Sequence, residues 1–524
     1  MLVARAKGLV SIAAMAALQA SSSSPEEALV DKVLAAEQPT GRLYRGLIGA
    51  LKDGAPTSEG LAAARKILTA LATRAPALAE DRHSRLWAAL CASLAQNDGA
   101  LAARAACLRE VVSANACRVR AALDGICQAA AHDDADEALR TGLGLCLKEI
   151  VERCPQGRAK ITPSAQKSWP YVLAKPETHD GYAKFIIEYA LRCCDDTGPL
   201  LATLTEQALA LDCAAAQHVF ALEEDAAKDA AADCVVARMV AYVAKHVLSD
   251  ADAAFVISAT LGPCLATPRA QTTPFVVFAA AAAKPTRAAA LCRTLSSLVS
   301  DESTSDAVRK ASIAYLASFV CRAAVVDPVL VALACETLLE RCRRCRELFD
   351  QGDKHLAARR HVDAARGLLY VFAFRGAEIV SRRDWDARCD AVCTPKAWDA
   401  ALGVRAPAAL DALRGCRARL LGEFARVSSV EPPFLSRAAS MRVREAVRDG
   451  GGDDDDGLFF PFDPCRLPKT NAAVQTLYRE WTHTEESDDD EESSSGESSS
   501  GSSSASLAPM SLSTSLRDDD AEAW

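Results

Sequence analysis

Two cysteines and two histidines in the second half of the chain have a spacing that could bind zinc. Cys342 and Cys345 form a C-x2-C pair, His355 follows after nine residues, and His361 after five more. Structural zinc sites use such pairs of thiolate and imidazole ligands. The nine-residue gap is short for a zinc finger, and the surrounding RCRRCREL run has helical character, which places the cysteines at i and i+3 on one face. The pattern therefore favours thiols over a metal site, and no cofactor is expected.

Two serines near the C-terminus have the sequence context of acidophilic kinase sites. Ser487 precedes the acidic run from Asp488 to Glu492, and Ser494 has Glu497 three residues downstream. An acidic residue at the third downstream position is what kinases of the casein kinase II type read. Each phosphate would add roughly −1.5 to −2 charges, so both serines are candidate phosphosites.

Two clusters of arginines are candidate contact surfaces. The first, a candidate basic contact patch, comprises Arg341, Arg343, Arg344 and Arg346, with Arg359 and Arg360 nearby; the second comprises Arg437, Arg442, Arg444 and Arg448. A solvated helix face is the default interpretation of such clusters. Docking to an acidic protein surface, contact with DNA phosphates and nuclear import are the alternatives. The lack of interleaved aromatic residues disfavours nucleic acid.

The short motifs of common enzyme classes do not occur in the chain. There is no Gly-x-Ser-x-Gly, no His-Glu-x-x-His and no Gly-Lys-Ser/Thr sequence,. Gly142 and Gly144 form half of a dinucleotide fingerprint, but no strand pattern precedes them. These observations predict a binding protein with no catalytic residues and no small-molecule substrate.

The negative charge of the chain is concentrated at its C-terminus. From Glu485 to Trp524 there are twelve acidic residues and one arginine, so this segment carries −11, and the chain's total of −9 leaves residues 1–484 at +2. A nearly neutral body does not point to DNA as the main partner. The serine-rich acidic segment cannot bury enough apolar surface to offset its ordering entropy, so we expect it to be disordered.

Cysteine usage and hydropathy indicate the compartment. The twenty cysteines are scattered through helical segments and no Asn-x-Ser/Thr acceptor occurs, which is typical of a reduced, intracellular chain. The apolar run from Gly8 to Ala20 could serve as a targeting peptide, but a loose first helix is favoured. No membrane span is expected, because the longest apolar candidate, residues 311–339, contains Arg322, Asp327 and Glu336.

Helical periodicity extends over most of the chain. From Pro25 to about Val447 apolar residues recur at three-to-four spacing, and alternating β-branched runs are missing,. Proline and glycine breaks, several of them about 20–45 residues apart, suit paired antiparallel helices of the HEAT type. Abundant alanine favours helices that pack closely over small side chains.

The segment from Leu458 to Trp481, LFFPFDPCRLPKTNAAVQTLYREW, combines aromatic residues and prolines. Its distinctive residues are Phe459, Phe460, Pro461, Phe462, Asp463, Pro464, Tyr478 and Trp481. Proline fixes φ and removes a backbone donor, so the first half cannot be a regular helix. From Asn471 a helical pattern is predicted that ends at Tyr478-x-x-Trp481. Such a segment is suited to packing back on the terminal helical repeats, or to binding a partner.

This segment resembles the C-terminal signature of the RNA polymerase I-specific transcription initiation factors of the TIF-IA type. Further segments similar to that family occur in its order: LLATLTEQALALDC (200–213), LATPRAQTTPFVVF (265–278), RKASIAYLASFVCRAAVVDP (309–328, with Tyr315 and Phe319) and GLLYVFAFRG (367–376). The resemblance covers about residues 190–484. The alanine-rich helices depart from the family's usual Leu/Ile/Lys-rich pattern.

The resemblance, with the helical spacing, implies an all-α, HEAT-like helical-repeat solenoid with a disordered acidic Ser-rich C-terminal tail. The expected organisation is a flexible N-terminus (1–24), the solenoid (25–447), an acidic linker (448–457), a C-terminal brace with a short helix (458–484) and the disordered tail (485–524). The signature residues would then be structural or partner-binding, and the resemblance implies no zinc.

The resemblance also implies a non-enzymatic function in the nucleus, specifically the nucleolus. Factors of this type bind RNA polymerase I and deliver it to the promoter-bound RNA polymerase I core factor at ribosomal DNA; promoter DNA is a further candidate partner. The alternative is a generic HEAT-type adaptor such as a nuclear transport receptor. A helical enzyme or lipid-binding protein is a third class, which the missing motifs disfavour.

Overall fold

The chain is all-α in the part that the structure describes. The computed structural model describes residues 24–35, 41–53, 57–216, 222–267, 270–404, 407–414, 416–430, 433–449, 458–463 and 467–481. Within these ranges helices follow one another without a strand, and the sequence-based prediction of an all-α fold is confirmed.

The α-helices are numbered in chain order. They are α1 (Pro25–Ala35), α2 (Arg42–Asp53), α3 (Ser58–Thr73), α4 (Ala75–Leu78), α5 (Ser84–Ala92), α6 (Leu101–Ala114), α7 (Val119–Ala130), α8 (Glu137–Arg153), α9 (Arg158–Lys167), α10 (Pro176–Phe185), α11 (Leu191–Cys193), α12 (Gly198–Ala216), α13 (Leu222–His246), α14 (Asp250–Ala266), α15 (Pro274–Ala282), α16 (Pro285–Ser300), α17 (Asp306–Arg322), α18 (Pro328–Gln351), α19 (Lys354–Arg382), α20 (Ala387–Val392), α21 (Pro395–Ala401), α22 (Ala418–Ser428), α23 (Arg437–Arg448) and α24 (Pro468–Val474). A π-helical turn, Ile186–Ala190, joins α10 to α11.

Several prolines that the sequence marks as breaks between helices are the first residues of helices in the structure. Pro176, Pro274, Pro285 and Pro328 are each the first residue of a helix. Proline suits this position because its missing N–H has no intrahelical partner there and its fixed φ is already helical. Side-chain caps begin other helices, as where the Thr57 hydroxyl accepts a hydrogen bond from the Gly60 N–H at the start of α3,.

The described residues form two compact units. One comprises the chain up to Thr337 together with Phe459–Tyr478, and the other comprises Leu338–Leu458 together with the residues from Arg479 onward. The range 25–447, which the sequence assigned to one solenoid, is therefore divided within α18. The C-terminal brace is divided between Tyr478 and Arg479.

In the first unit, helices pack against their neighbours and next-but-one neighbours in sequence. Thus α7 packs on α8 and α9, and α12 packs on α13 and α14. Small residues permit close approach: a Cβ added at Gly125 in α7 would lie 2.8 Å from the Cβ of Cys91 in α5. Packing of successive helix pairs is the arrangement that helical-repeat sequences favour.

In the second unit, α19 packs on α22, and α22 packs on α23, around an aromatic cluster. Trp398, Phe372, Phe424 and Phe434 are all buried, and the Trp398 ring centroid lies 4.6 Å from that of Phe372 and 4.9 Å from that of Phe424. The Trp398 indole donates a hydrogen bond to the carbonyl of Val392, so its polar group is satisfied inside the cluster.

The cysteines in the described ranges are free thiols, and most are buried. Cysteine thus behaves as a small apolar core residue in these helices. None of the helices in the described part of the chain is long and apolar enough to cross a membrane.

Candidate functional site

The signature segment is the stretch from Leu458 to Trp481, and it is anchored by Phe462. The Phe462 side chain has no exposed surface. Its ring lies among four aromatic rings of the first unit, with centroid distances of 5.9 Å to Phe275, 5.2 Å to Phe278, 5.4 Å to Tyr315 and 6.0 Å to Phe319. Edge-to-face and tilted aromatic contacts of this kind add to the stabilisation from burial. The segment therefore packs on α15 and α17, in the middle of the chain, rather than on the terminal repeats that the sequence suggested.

The two ends of the segment are joined through Tyr478. The Tyr478 hydroxyl donates a 2.8 Å hydrogen bond to the carbonyl of Phe462, and its ring centroid lies 5.8 Å from that of Phe278. Beside it, the Ala324 N–H donates to the carbonyl of Leu477, in an isolated antiparallel bridge between Ala323 and Tyr478. The helix α24 ends at Val474 and a 3-10 turn, Gln475–Leu477, follows it. The pairing at Tyr478 then ends the helical backbone, which stops short of Trp481, where the sequence predicted its end.

A buried arginine secures the first half of the segment. The Arg322 guanidinium, with a side chain only 3% exposed, lies 3.1 Å from the Asp463 carboxylate and 5.4 Å from the centroid of the Tyr478 ring. A buried cation requires such partners because its desolvation is costly. Arg322 thus links Asp463 and Tyr478 to the end of α17.

A buried aspartate caps α24 from a distant part of the sequence. The Asp233 carboxylate in α13 accepts hydrogen bonds from the backbone N–H groups of Lys469 (2.9 Å) and Thr470 (2.7 Å), and from the Thr470 hydroxyl (2.7 Å). These bonds satisfy the free N–H groups at the helix start. No local sequence pattern indicates this role for Asp233, since it lies 237 residues from Thr470.

The remaining signature residues have different environments. Pro461 is buried, Phe460 is half-buried, and Phe459 is 39% exposed. In the second unit, the Trp481 ring packs against Phe374 at a centroid distance of 5.1 Å. Phe459 is thus the signature aromatic with the most surface available to a partner.

Several predicted positions lie outside the described residues. These are Pro464, Ser487, Ser494, residues 1–23 of the N-terminus, residues 450–457 of the acidic linker (448–457) and everything after Trp481. The predictions for these positions stay predictions.

The cysteines and histidines with zinc-like spacing do not converge on one point. Cys342 and Cys345 are buried, and burial raises the pKa of the Cys342 thiol. His361 is also buried, with Nδ1 3.2 Å from the carbonyl of Cys342 and Nε2 3.1 Å from that of Ala401, whereas His355 is exposed. Among the described residues, no group of three or more His, Cys, Asp or Glu side chains could hold a metal ion.

The first arginine cluster does not form the exposed basic patch that its sequence suggested. Arg341 is buried, while Arg343 forms ion pairs with Glu340 and Glu347 of the same helix. Arg344 lies 3.4 Å from Glu347, and Arg346 is half-buried. The helical period explains this correction: the four arginines point in different directions around α18, and glutamates at three-to-four spacing offset the exposed ones.

The second cluster contains a true basic stripe on α23. Arg437, Met441, Arg444 and Arg448, at i, i+4, i+7 and i+11, are all exposed on one helix face,. Within the described ranges, these three arginines form no ion pair. Arg442 lies elsewhere on the helix, with its guanidinium 2.8 Å from Asp411 and a hydrogen bond to the carbonyl of Leu402. The surrounding residues 338–449 contain 22 basic and 15 acidic residues, a net charge of +7.

Comparison with known proteins identifies relatives of this chain. Residues 263–486 match the family model described as "RNA polymerase I specific transcription initiation factor RRN3". The RNA polymerase I-specific transcription initiation factor rrn3 of Schizosaccharomyces pombe is 25% identical over 237 residues, which are 43% of this chain and 38% of that protein. The chain thus spans less than half the length of this relative in the match.

A solved structure has the same fold. The crystal structure of RNA polymerase I transcription initiation factor Rrn3 superposes with a TM-score of 0.68, covering 88% of this chain and 99% of that one at 13% identity. At this identity the likeness establishes the helical-repeat fold alone. The family match, by contrast, includes all the aromatic residues around Phe462.

Proposed function

Because residues 263–486 match the family model of the RNA polymerase I-specific transcription initiation factor RRN3, we propose that the chain is a member of that family. As such it binds RNA polymerase I and links it to the promoter-bound core factor at ribosomal DNA. The observation that carries this proposal is the coincidence of the family match, residues 263–486, with the helices and signature segment that meet around Phe462. The work of such a factor takes place in the nucleolus, which is therefore the proposed location.

The mechanism is binding without catalysis. A helical-repeat chain presents long surfaces on which two large partners can be held at separate places. The burial of Phe462 and the capping of α24 by Asp233 support a structural role for the signature segment in building these surfaces. Exposed Phe459 is the part of the segment that remains for partner contact.

The arginine stripe of α23 is the proposed contact for an acidic surface of the polymerase. Its three exposed arginines lie on one face in a region of net positive charge. Complementary charge increases association rates and sets orientation, with an effect that weakens as salt rises. The intrahelical ion pairs of Arg343 and Arg344 make α18 the weaker candidate for this contact.

The acidic tail is proposed to regulate this contact. Its charge of −11 opposes that of the stripe, and phosphates on Ser487 and Ser494 would strengthen the opposition. The tail would then compete with the acidic partner for the arginines of α23.

Affinity purification from nuclear extract with mass spectrometry tests the proposal. The wild-type chain should retain RNA polymerase I subunits, whereas a nuclear transport receptor would retain a small GTPase and cargo. Recovery of the latter without polymerase subunits would overturn the proposed function.

Two charge-reversal variants test whether the arginine stripe of α23 contacts the polymerase. Arg437→Glu, Arg444→Glu and Arg448→Glu together should abolish polymerase retention at physiological salt. The control, Arg343→Glu with Arg344→Glu, changes exposed arginines that glutamates already offset and should retain polymerase. Equal retention by both variants would exclude the stripe as the contact while leaving the function itself standing.

A further inference from the structure

A lysine of the signature segment lies against a buried cysteine. The Lys469 Nζ is 2.8 Å from the Sγ of Cys234, although the two residues are 235 positions apart in the chain. Cys234 lies in α13 and is 4% exposed, while Lys469, in the first turn of α24, is exposed. A nucleophilic sulfur and a primary amine thus meet at the edge of the core, next to solvent.

The contact is held by more than the two side chains. Asp233, the residue before Cys234, accepts hydrogen bonds from the N–H groups of Lys469 and Thr470 and from the Thr470 hydroxyl. These bonds fix the backbone of α24 against that of α13 at the position of the thiol. The sulfur and the amine are therefore preorganised independently of any attraction between them.

The charges around the thiol distinguish it from most cysteines of the core. Burial raises the pKa of Cys234, and the hydrogen bond from Lys469 opposes that rise, while Asp180 and Asp233 add to it. The same contact raises the pKa of Lys469. In contrast, burial raises the pKa of Cys107 and Cys292 to about 12 with no lysine contributing. Thiolates beside a cation are the ones that peroxides oxidise.

We propose that Cys234 and Lys469 form an oxidation-dependent cross-link, in which hydrogen peroxide is the oxidant and the product is an Sγ–Nζ sulfenamide. In the first step the Cys234 thiolate attacks one peroxide oxygen and the O–O bond breaks. The products are a sulfenic acid on Sγ and a hydroxide ion, which takes a proton from the Lys469 ammonium group and leaves as water.

In the second step the unprotonated Lys469 Nζ attacks Sγ. The Sγ–Nζ bond forms, the Sγ–O bond breaks, and the oxygen leaves as a second water with a proton from the amine. The sulfur has lost two electrons and the peroxide has gained them, so the two side chains together lose two hydrogen atoms. Condensation of a sulfenic acid with a nitrogen is known chemistry for cysteine, and thiols reverse it by attacking the sulfur.

The consequence of the cross-link is a fixed C-terminal segment. It closes a long loop of chain, which removes conformational freedom from the unfolded state. Oxidation would then stabilise the docking of α24 on α13 without changing the fold. The inference does not depend on which partner the protein binds.

Peptide mapping of the full-length chain tests the cross-link. The purified protein is treated with hydrogen peroxide, alkylated, and digested without reductant. We expect a linked peptide pair containing Cys234 and Lys469, lighter than the sum of the two peptides by two hydrogen atoms and separated by dithiothreitol. The oxidised protein should also unfold at a higher temperature than the reduced protein.

Three variants make the result specific. Cys234→Ser removes the sulfur and Lys469→Arg keeps the charge without the amine, so neither should yield the linked pair; dimedone should instead trap sulfenic acid in Lys469→Arg. Cys213→Ser, at a half-buried cysteine, should behave as wild type. Absence of the linked pair from folded, peroxide-treated wild type would overturn the proposal. A linked pair that retains an oxygen atom would contradict the second step.

Discussion

The hydroxyl of Tyr478 donates a hydrogen bond to the backbone carbonyl of Phe462, and so closes the signature segment into a loop. Both rings lie in the same aromatic cluster as Phe278, and Arg322 lies over the Tyr478 ring. The residues that define the segment in sequence therefore contact mainly one another and the helices α15 and α17. Stability measurements on this loop are consequently the most direct tests of its role.

Replacement of Phe462 is expected to be severely destabilising. Phe462→Ala removes a fully buried ring from four aromatic neighbours, which should cost about 3–5 kcal/mol of unfolding free energy,. Phe459→Ala, at a partly exposed ring of the same segment, is the matched control and should cost much less. The measurement is chemical denaturation of both proteins; equal midpoints for Phe462→Ala and wild type would contradict the assigned packing.

The cap of α24 should be sensitive to the Asp233 carboxylate. Asp233→Ala leaves the N–H groups of Lys469 and Thr470 without their acceptor and removes the carboxylate that accepts from the Thr470 hydroxyl, and should destabilise by about 2 kcal/mol,. Thr470→Val removes only the hydroxyl's bond and should have a smaller effect. Hydrogen exchange of the α24 amides measures the same change locally, and unchanged protection in Asp233→Ala would exclude the cap.

Buried His361 should make stability depend on pH. Burial lowers the pKa of His361 in the folded state, although two carbonyl groups oppose the shift. Protons therefore bind more readily to His361 in the unfolded chain than in the folded one. Its contribution to the free energy of unfolding is complete above about pH 6.5 and decreases as the pH falls below that value. His361→Asn should show a shallower loss between pH 7 and 5, while exposed His355→Asn should follow wild type. Parallel curves for His361→Asn and wild type would refute the prediction.

Thiol accessibility should differ sharply between the folded and unfolded chain. Titration of the native protein should detect few thiols, because most described cysteines are buried. Under denaturing, non-reducing conditions the count should approach all twenty, and elemental analysis should detect no stoichiometric zinc. One zinc per chain that is lost in Cys342→Ser would contradict the prediction that these thiols bind no metal.

The tail should affect binding and leave the fold unchanged. Deletion of residues 485–524 is expected to preserve helicity and melting temperature, because a segment of this composition buries little apolar surface,. Ser487→Asp with Ser494→Asp should weaken polymerase binding at low salt relative to the deletion. The difference should fade above physiological ionic strength, where the Debye length falls below about 8 Å. Identical binding by full-length, deleted and substituted proteins at low salt would contradict the regulatory role.

Local patterns in the sequence predicted the helices well and their long-range partners poorly. Prolines such as Pro274 and Pro285 mark helix starts because the effect of proline on φ is local,. The prediction that the FFPFDP run packs on the protein carried no information about which helices receive Phe462. Asp233 was missed entirely, because its role depends on a contact 237 residues away.

The arginine clusters show where a closer use of periodicity would have helped. Arg341 and Cys345 are four residues apart and both are buried, so they share the inner face of α18. Grouping the arginines by their nearness in sequence, without assigning each one to a helix face, predicted an exposed basic patch that α18 does not have. The same assignment applied to α23 identifies Arg437, Arg444 and Arg448 as a stripe from sequence alone.

The contact between Arg322 and Asp463 also constrains how the protein is made. These residues are 141 positions apart, so the ribosome has synthesised all of α15 and α17 well before the segment that covers their aromatic side chains. At roughly 5–20 residues per second, this delay is about 7–28 s. Throughout that interval Phe275, Phe278 and Phe319 lack the ring of Phe462. The nascent chain therefore exposes an apolar surface that a chaperone can recognise, and a messenger truncated before this segment would produce a protein in which that surface is permanent.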